Sequence, residues 1–428
     1  MNHPTIEKCI VSFSHNAYES RKLADKEAIE KARREIAQGK KGISHLILRA
    51  RDDEIDRLKF LFPIYGIPLM CYALGNLMVS SLKEIVVVGS KEVKTVLDAF
   101  LETIGPCGKK IRFVHEDPDH LVLIHTLVLG RNALALAPNE LVLFQPGDLP
   151  FLYDLDRVLN DKDLKTHDLI LWLNSRQEMF PHFKEDPASE FVQRNYHYRV
   201  IDEKAGRLHD VKEPNAYPIN LAAIEEDIIE LLHETRKDGK ILNAGIHKVL
   251  TSPARMLRLL PVLASHFRHF DSDLRTYRMN DEYKFGMHLK NFNKGASIFL
   301  DTPFVAKFHN DPAYVSDVDA LEDWEDFESL IRYAVQEQGE ENGLASIHPF
   351  GRELMKFKRE AMPGLQERIA MYADFPVYLN DLYRSLEMPH VPFHDGDRYD
   401  TPNLHSPLVA NAYRWYKEKT ARFQPCAE

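Results

Sequence analysis

Cysteine is scarce, with four residues in 428 (Cys9, Cys71, Cys107 and Cys426) and no pair at metal-ligand spacing. That excludes a disulfide scaffold or a cysteine-built zinc site as the organising feature, and it points to a reduced, cytoplasmic protein with free thiols. No apolar run approaches the roughly 18–20 residues needed to cross a bilayer, so no membrane span is expected. The opening residues Met1-Asn2-His3-Pro4-Thr5-Ile6-Glu7-Lys8 lack the basic-then-apolar pattern of a secretory signal. Positive charge is not in excess either. Lys and Arg number 55 against 65 Asp and Glu, a formal net charge of -10. That is the wrong sign for a general nucleic-acid surface, so no nucleic-acid partner is expected, although one local basic pocket for a phosphate remains compatible with it. Histidine is plentiful, but no His-Glu-x-x-His or similar cluster gathers it for a metal.

What is present reads as a soluble α/β protein. Hydrophobic residues make up 44% and charged residues 28%, an ordinary globular balance, and the length allows a large core with additions. Ala17 to Gln38 mixes Lys, Arg, Glu and Ala and is expected to form a charged helix ended near Gly39. Short apolar runs then alternate with amphipathic stretches. Strands are expected at His45–Leu48, Glu84–Gly89, Ile111–Val114, Leu141–Phe144 and Leu169–Leu173. Helices are expected at Leu69–Val79, Val93–Leu101 and Leu121–Leu136. This order predicts a mostly parallel sheet covered on both faces, with ligands beyond the carboxyl ends of its strands. Further on, a hairpin is expected around Lys204-Ala205-Gly206, with helices at Ala222–Thr235 and Ala254–His266. Gly339-Glu340-Glu341-Asn342-Gly343 reads as a linker. The expected organisation is a helical N-terminal extension (1–42), a main domain (43–335, its portion from about 170 to 312 facing a second substrate) and a mostly helical C-terminal extension (344–428). In that tail Tyr383, Tyr413, Trp415 and Tyr416 read as packing residues. Whether the tail covers the main domain or forms a homodimer contact is left open.

Three segments carry candidate chemistry. Gly147-Asp148-Leu149-Pro150 follows an expected buried strand, so the Asp148 carboxylate points into the ligand cleft, where it could hold a hard cation such as Mg²⁺ or cap the next turn. Asp317-Val318-Asp319 places two carboxylates on one side of an extended chain, a crowding that a cation would relieve. Asp319 could equally cap a helix beginning near Leu321. Lys59 begins Lys59-Phe60-Leu61-Phe62-Pro63-Ile64-Tyr65-Gly66-Ile67-Pro68-Leu69, and its ammonium could reach a phosphate or simply face solvent.

Taken together, these segments resemble the nucleotidyltransferase superfamily with the GT-A-type fold, which includes molybdenum-cofactor guanylyl- and cytidylyltransferases and sugar-phosphate nucleotidylyltransferases. Lys59–Leu69 is similar to the family's Lys-x-Leu-x-Pro-x-x-Gly-x-Pro-Leu. Gly147–Pro150 resembles its metal-binding Gly-Asp-x-Pro, and Asp317–Trp324 resembles its late Asp-x-Asp-Thr-Pro-Glu-Asp-Leu. The resemblance implies a three-layer, Rossmann-like fold over residues 43 to 335. It also implies Mg²⁺ (or Mn²⁺) on Asp148, Asp317 and Asp319, with Asp148 and Lys59 catalytic. Lys212-Glu213-Pro214-Asn215 loosely resembles an acceptor-side segment, and the middle of the chain, expected to form the acceptor pocket, offers Lys212, Asn215 and Asn243 as candidate contacts. The family's glycine-rich phosphate loop has no counterpart in Leu48–Arg57, where Arg49, Arg51 and Arg57, with Lys59, become the candidate nucleotide contacts. The implied activity transfers a nucleoside monophosphate from a nucleoside triphosphate to a phosphorylated small molecule, releasing pyrophosphate. A catalytically impaired nucleotide-binding relative and a GT-A glycosyltransferase are the alternatives.

Overall fold

The computed structural model describes residues 3–14, 59–117, 122–179, 198–229, 252–276, 287–318, 321–368 and 407–422. Its strands in chain order are β1 (Lys8–Phe13), β2 (Pro63–Ile64), β3 (Ile67–Pro68), β4 (Glu84–Gly89), β5 (Lys110–His115) and β6 (Val142–Pro146). There follow β7 (Leu169–Ser175), β8 (Tyr198–Asp202), β9 (Arg207–Lys212), β10 (Tyr217–Ile219), β11 (Met287–His288) and β12 (Phe304–Phe308). Apart from the small β2–β3 pair they form one sheet in the order β11-β8-β9-β7-β10-β6-β1-β4-β5, with β12 also paired to β7.

The centre of the sheet is parallel. β1 lies between β4 and β6, and β5 continues outward from β4. β10 runs antiparallel to both β6 and β7, and β12 is parallel to β7. Side chains alternate across the sheet as the two-residue strand period requires. Cys9, Val11, Phe13, Ile85 and Val87 enter one apolar layer with Leu69–Leu74 and Phe100, while Ile10, Val86 and Val88 enter the opposite layer with Leu127. The helices Leu69–Met78 and Lys91–Ile104 therefore cover one face, and Leu123–Leu134 covers the other. The result is an α/β three-layer sandwich, as the strand–helix alternation predicts.

Strand order also locates the cleft. From β1 the chain moves outward to β4 and β5, then returns to place β6 on the other side of β1. That reversal is a topological switch point at the carboxyl ends of β1 and β6, the place where sheets of this kind hold their ligands.

Three expectations about organisation are corrected. The main domain does not begin at residue 43, because Lys8–Phe13, assigned to a helical extension, is the central strand. Its apolar Cys9-Ile10-Val11 is completely buried and pairs on both edges. The proposed strand His45–Leu48 and the charged helix Ala17–Gln38 lie outside the described residues. The tail is not separate from the main core either, since Leu344, Ile347, Leu354, Phe357, Tyr413 and Tyr416 join the apolar layer that contains Phe13 and Val87. Tyr413 and Tyr416 are packing residues as read, and Tyr383 lies outside the described residues. Nor is 339–343 a linker. Gly339, at φ 81°, turns the chain directly from the helix Leu321–Gln338 into the helix Glu340–Ile347.

Candidate active site

The cleft is built on Phe13, the last residue of β1. The Gly147 N–H donates to the Ser12 carbonyl at 2.8 Å, continuing the ladder one step beyond β6. Here the two chains approach so closely that a Cβ on Gly147 would lie 2.0 Å from Phe13 Cδ1 and 2.9 Å from Ser12 O. Only glycine fits, which gives the residue before Asp148 a steric reason independent of function. On its other side Phe13 meets Phe60 edge-on, at 5.4 Å between ring centroids. Lys59 opens the short 3₁₀ helix Lys59–Leu61 and so has its backbone beside the same strand end. The remainder of the Lys59–Leu69 motif is structural. Tyr65 and Gly66, at φ 51° and 75°, form the turn joining β2 to β3, the positive-φ pair that tight hairpins need. Trp324 Nε1 and Tyr72 OH donate to the carbonyls of Pro63 and Ile64 at 2.7 and 2.8 Å.

Asp148 is 7% exposed and sits where the sequence places it, just past β6. Its backbone carbonyl accepts a hydrogen bond from the Val318 N–H at 3.0 Å. This bond links the segment bearing Asp317 to Asp148, residues separated by the whole middle of the chain. Asp317 in turn pairs with Lys212, whose Nζ lies 3.0 Å from Asp317 Oδ1 and 2.8 Å from the Val315 carbonyl. The Asn215 N–H donates to the Tyr314 carbonyl at 2.9 Å. Four of the predicted residues, Asp148, Asp317, Lys212 and Asn215, are therefore joined by a short chain of polar contacts.

Lys212 is engaged by protein groups, so it organises the acidic segment rather than standing open to an acceptor. Asp319 and Asn243 lie outside the described residues, as do Arg49, Arg51 and Arg57 and the side chain of Lys59. The strand leading into the cleft is β1, and the residues after it, Ser14-His15-Asn16-Ala17-Tyr18-Glu19-Ser20-Arg21-Lys22, contain no glycine.

Sequence reasoning passed over Glu213. Its Oε2, like Asn215 Nδ2, is a buried atom with no hydrogen-bond partner among the described residues. One is an acceptor and the other a donor, two residues apart, and buried polar atoms of this kind are usually satisfied by water or a ligand. The signal was available in Lys212-Glu213-Pro214-Asn215, where an acidic residue sits between two residues that were singled out.

The donor chemistry suits a hard cation. Asp148 and Asp317 offer only oxygen ligands and lie on segments bonded to each other. Among the described residues, no group of three or more His, Cys, Asp or Glu side chains could hold a metal by itself. Mg²⁺ held by one or two carboxylates together with substrate phosphates needs no such cage.

Next to the Asp148 segment lies a tightly packed aromatic cluster. His348 is completely buried against Tyr72, Phe151 and Tyr153. Burial pushes its imidazole down to about 3, against the pull of the Tyr72 and Pro150 backbone. Its Nδ1 accepts from the Phe350 N–H at 3.1 Å, so the ring is neutral and fixed.

No family model matches the sequence, and no curated protein matches it. Among solved structures the chain is similar to a hypothetical transferase from Thermus thermophilus, at 14% identity over 74% of this chain and 99% of that one, with a TM-score of 0.38. It is also similar to an inositol-1-phosphate CTP transferase from T. maritima (13% identity, 54% of this chain, 77% of that one, TM-score 0.33). A third is 4-diphosphocytidyl-2C-methyl-D-erythritol synthase from Anaerococcus prevotii (11% identity, 77% of this chain, 99% of that one, TM-score 0.35). The fold assignment rests on the strand order and register given above.

Proposed function

We propose that the protein is a nucleotidyltransferase that moves a nucleoside monophosphate from a nucleoside triphosphate to a phosphorylated small-molecule acceptor. The observation that carries this reading is Asp148, held at the carboxyl end of β6 at the switch point and bonded through its carbonyl to the segment bearing Asp317. In the reaction an acceptor phosphate oxygen forms a bond to the α-phosphorus, the bond from that phosphorus to the bridging oxygen breaks, and pyrophosphate leaves with its electron pair. The nucleophile is already anionic, so no dedicated base is required.

Asp148 and Asp317, with Asp319, would hold Mg²⁺, which when bound neutralises charge on the triphosphate and the departing pyrophosphate. The protein's own contribution is positioning. Gly147 lets Asp148 approach β1, and Lys212 fixes Asp317. Glu213 Oε2 and Asn215 Nδ2 offer an acceptor and a donor to hydroxyl groups of the second substrate.

The test is pyrophosphate release by the full chain with each of the four nucleoside triphosphates, Mg²⁺ and a pool of phosphorylated sugars and alcohols. Turnover that depends on acceptor and metal, and that is lost in Asp148→Ala with the fold retained, is the expected result. A fully active Asp148→Ala protein would reject the assignment.

The glycine-free stretch after β1 favours one second reading, a relative that binds nucleotide but no longer transfers it. Calorimetry showing tight triphosphate binding without pyrophosphate release would select it.

A further inference from the structure

The helix Pro407–Ala421, read from sequence as part of a tail outside the main domain, grips both acid-bearing segments of the site. Lys419, 7% exposed, forms an ion pair with Asp311 Oδ2, and Asp311 is itself 4% exposed. Two faces of aromatic rings complete the enclosure of the ammonium, which lies 5.2 Å from the Tyr153 ring and 4.8 Å from that of Trp415.

Asp311 is the start of a rigid run. Its N–H donates to Asn174 Oδ1 at 2.7 Å, its Oδ1 accepts from the Ala313 N–H at 3.0 Å, and its carbonyl accepts from the Tyr314 N–H at 3.1 Å. Tyr314 is then fixed to Asn215, and Val315 and Asp317 are fixed to Lys212. Every backbone step from Asp311 to Val318 is thus close to a residue held by a polar contact. The same helix reaches the other acid. Thr420 Oγ1 donates to Tyr153 OH at 3.0 Å, and Tyr153 OH donates to the Tyr416 carbonyl at 3.2 Å. Tyr153 closes the Asp148–Tyr153 turn, which Asn76 Nδ2 also holds by donating to the Leu149 carbonyl at 3.0 Å.

One helical turn, Tyr416 to Thr420, therefore touches the segment after Asp148 and the segment before Asp317. We propose that Lys419 and Thr420 are positioning residues that hold the segment bearing Asp148 and the segment bearing Asp317 in place relative to each other, and so tune affinity for the divalent cation. The inference rests on the reading of these aspartates as cation ligands.

Mn²⁺ titration of the full chain, followed by electron paramagnetic resonance, tests it. Wild type is expected to bind Mn²⁺ and Asp148→Asn to lose most of that binding. A wild type without Mn²⁺ affinity, or an unchanged Asp148→Asn, would overturn the cation reading and this inference with it. Given that control, Lys419→Met is expected to raise the Mn²⁺ dissociation constant about tenfold or more, with Lys419→Arg recovering part of the loss. Thr420→Val, which removes a single hydrogen bond and keeps the shape, is expected to raise it about threefold, and it serves if Lys419→Met does not fold. Turnover of the weakened variants is expected to return at saturating Mn²⁺, which a loss of folded protein would not produce. Folded Lys419→Met and Thr420→Val proteins with wild-type Mn²⁺ affinity would overturn the positioning role while leaving the Asp148 result intact.

Discussion

The Val318 N–H donates to the Asp148 carbonyl at 3.0 Å, and that bond joins the two acidic motifs of this protein. The two residues are far apart in the chain, so only the folded sheet, with β6 beside β1 and the 311–318 segment laid over their ends, brings them together. The bond uses backbone atoms only, and the Asp317 carboxylate is separately paired with Lys212.

Gly147 is the first place to test that geometry. Gly147→Ala must push a Cβ into the Phe13 ring and toward the Ser12 carbonyl. Overpacking of this kind costs about 1–3 kcal/mol. Urea unfolding of the variant is expected to show a lower midpoint with an unchanged slope, and a midpoint equal to wild type would mean the strand ends are farther apart than described.

The Lys212–Asp317 contact is open to a double-mutant cycle. Both side chains are largely buried, at 13% and 20% exposure, so Lys212→Met is expected to leave Asp317 poorly compensated. Coupling between Lys212→Met and Asp317→Asn should fall at about 0.5–3 kcal/mol, the range for residues in direct contact. Additive effects on stability would contradict the pairing. Lys212→Met should also lower turnover through displacement of Asp317 rather than by abolishing acceptor binding, which a kcat loss larger than the KM rise would reveal.

Acid sensitivity follows from two buried imidazoles. Burial holds His309 down to about 4, despite the opposing Asp311 charge, and His348 down to about 3. The unfolded chain takes up protons as pH falls through about 6.5, whereas the native protein does not until these lower values. The stabilisation is therefore complete above about pH 6.5 and declines as pH drops, by about 1.4 kcal/mol per pH unit for each histidine. It is expected to decline until about pH 4 for His309 and about pH 3 for His348. Urea unfolding at pH 4.5, 5.5 and 7.5 should show His309→Asn with a shallower acid limb than wild type, by about one proton. Equal slopes would mean that the imidazole is charged in the native protein.

The parts of the fold legible in the sequence were those whose signal is local. Glu84–Gly89 is a strand as read, because Ile85-Val86-Val87-Val88 is apolar on both faces and ends at glycine. The helices Leu69–Met78 and Leu123–Leu134 and the hairpin of β8 and β9 fall within a few residues of their expected limits. The central strand was missed. Cys9-Ile10-Val11 is a three-residue apolar run between Lys8 and Ser12, no stronger than His45–Leu48, and the Lys59 motif drew the first strand toward itself. What distinguishes Lys8–Phe13 is its parallel register with both β4 and β6, a pairing that no local pattern encodes. β12 was missed for the same reason, since Phe304-Val305-Ala306-Lys307-Phe308 is stabilised by β7 rather than by its own periodicity.

Site residues divided in the same way. The position of Asp148 was legible, because the apolar run before Gly147 marks the strand that it follows. Glu213 was not, because its Oε2 is noteworthy only once burial and the lack of a partner are seen. The burial of Lys419 was not, because it depends on pairing with Asp311, whose carboxyl burial alone would raise but which Lys419 keeps below its ordinary value.

The most direct test of the central claim is a crystal of the full chain grown with Mg²⁺ and a nucleoside triphosphate. The ion is expected within about 2.1 Å of an Asp148 oxygen, with the phosphates beside it at the carboxyl ends of β1 and β6. A triphosphate bound elsewhere, or an Asp148 carboxylate turned away from the ion and its phosphates, would contradict it.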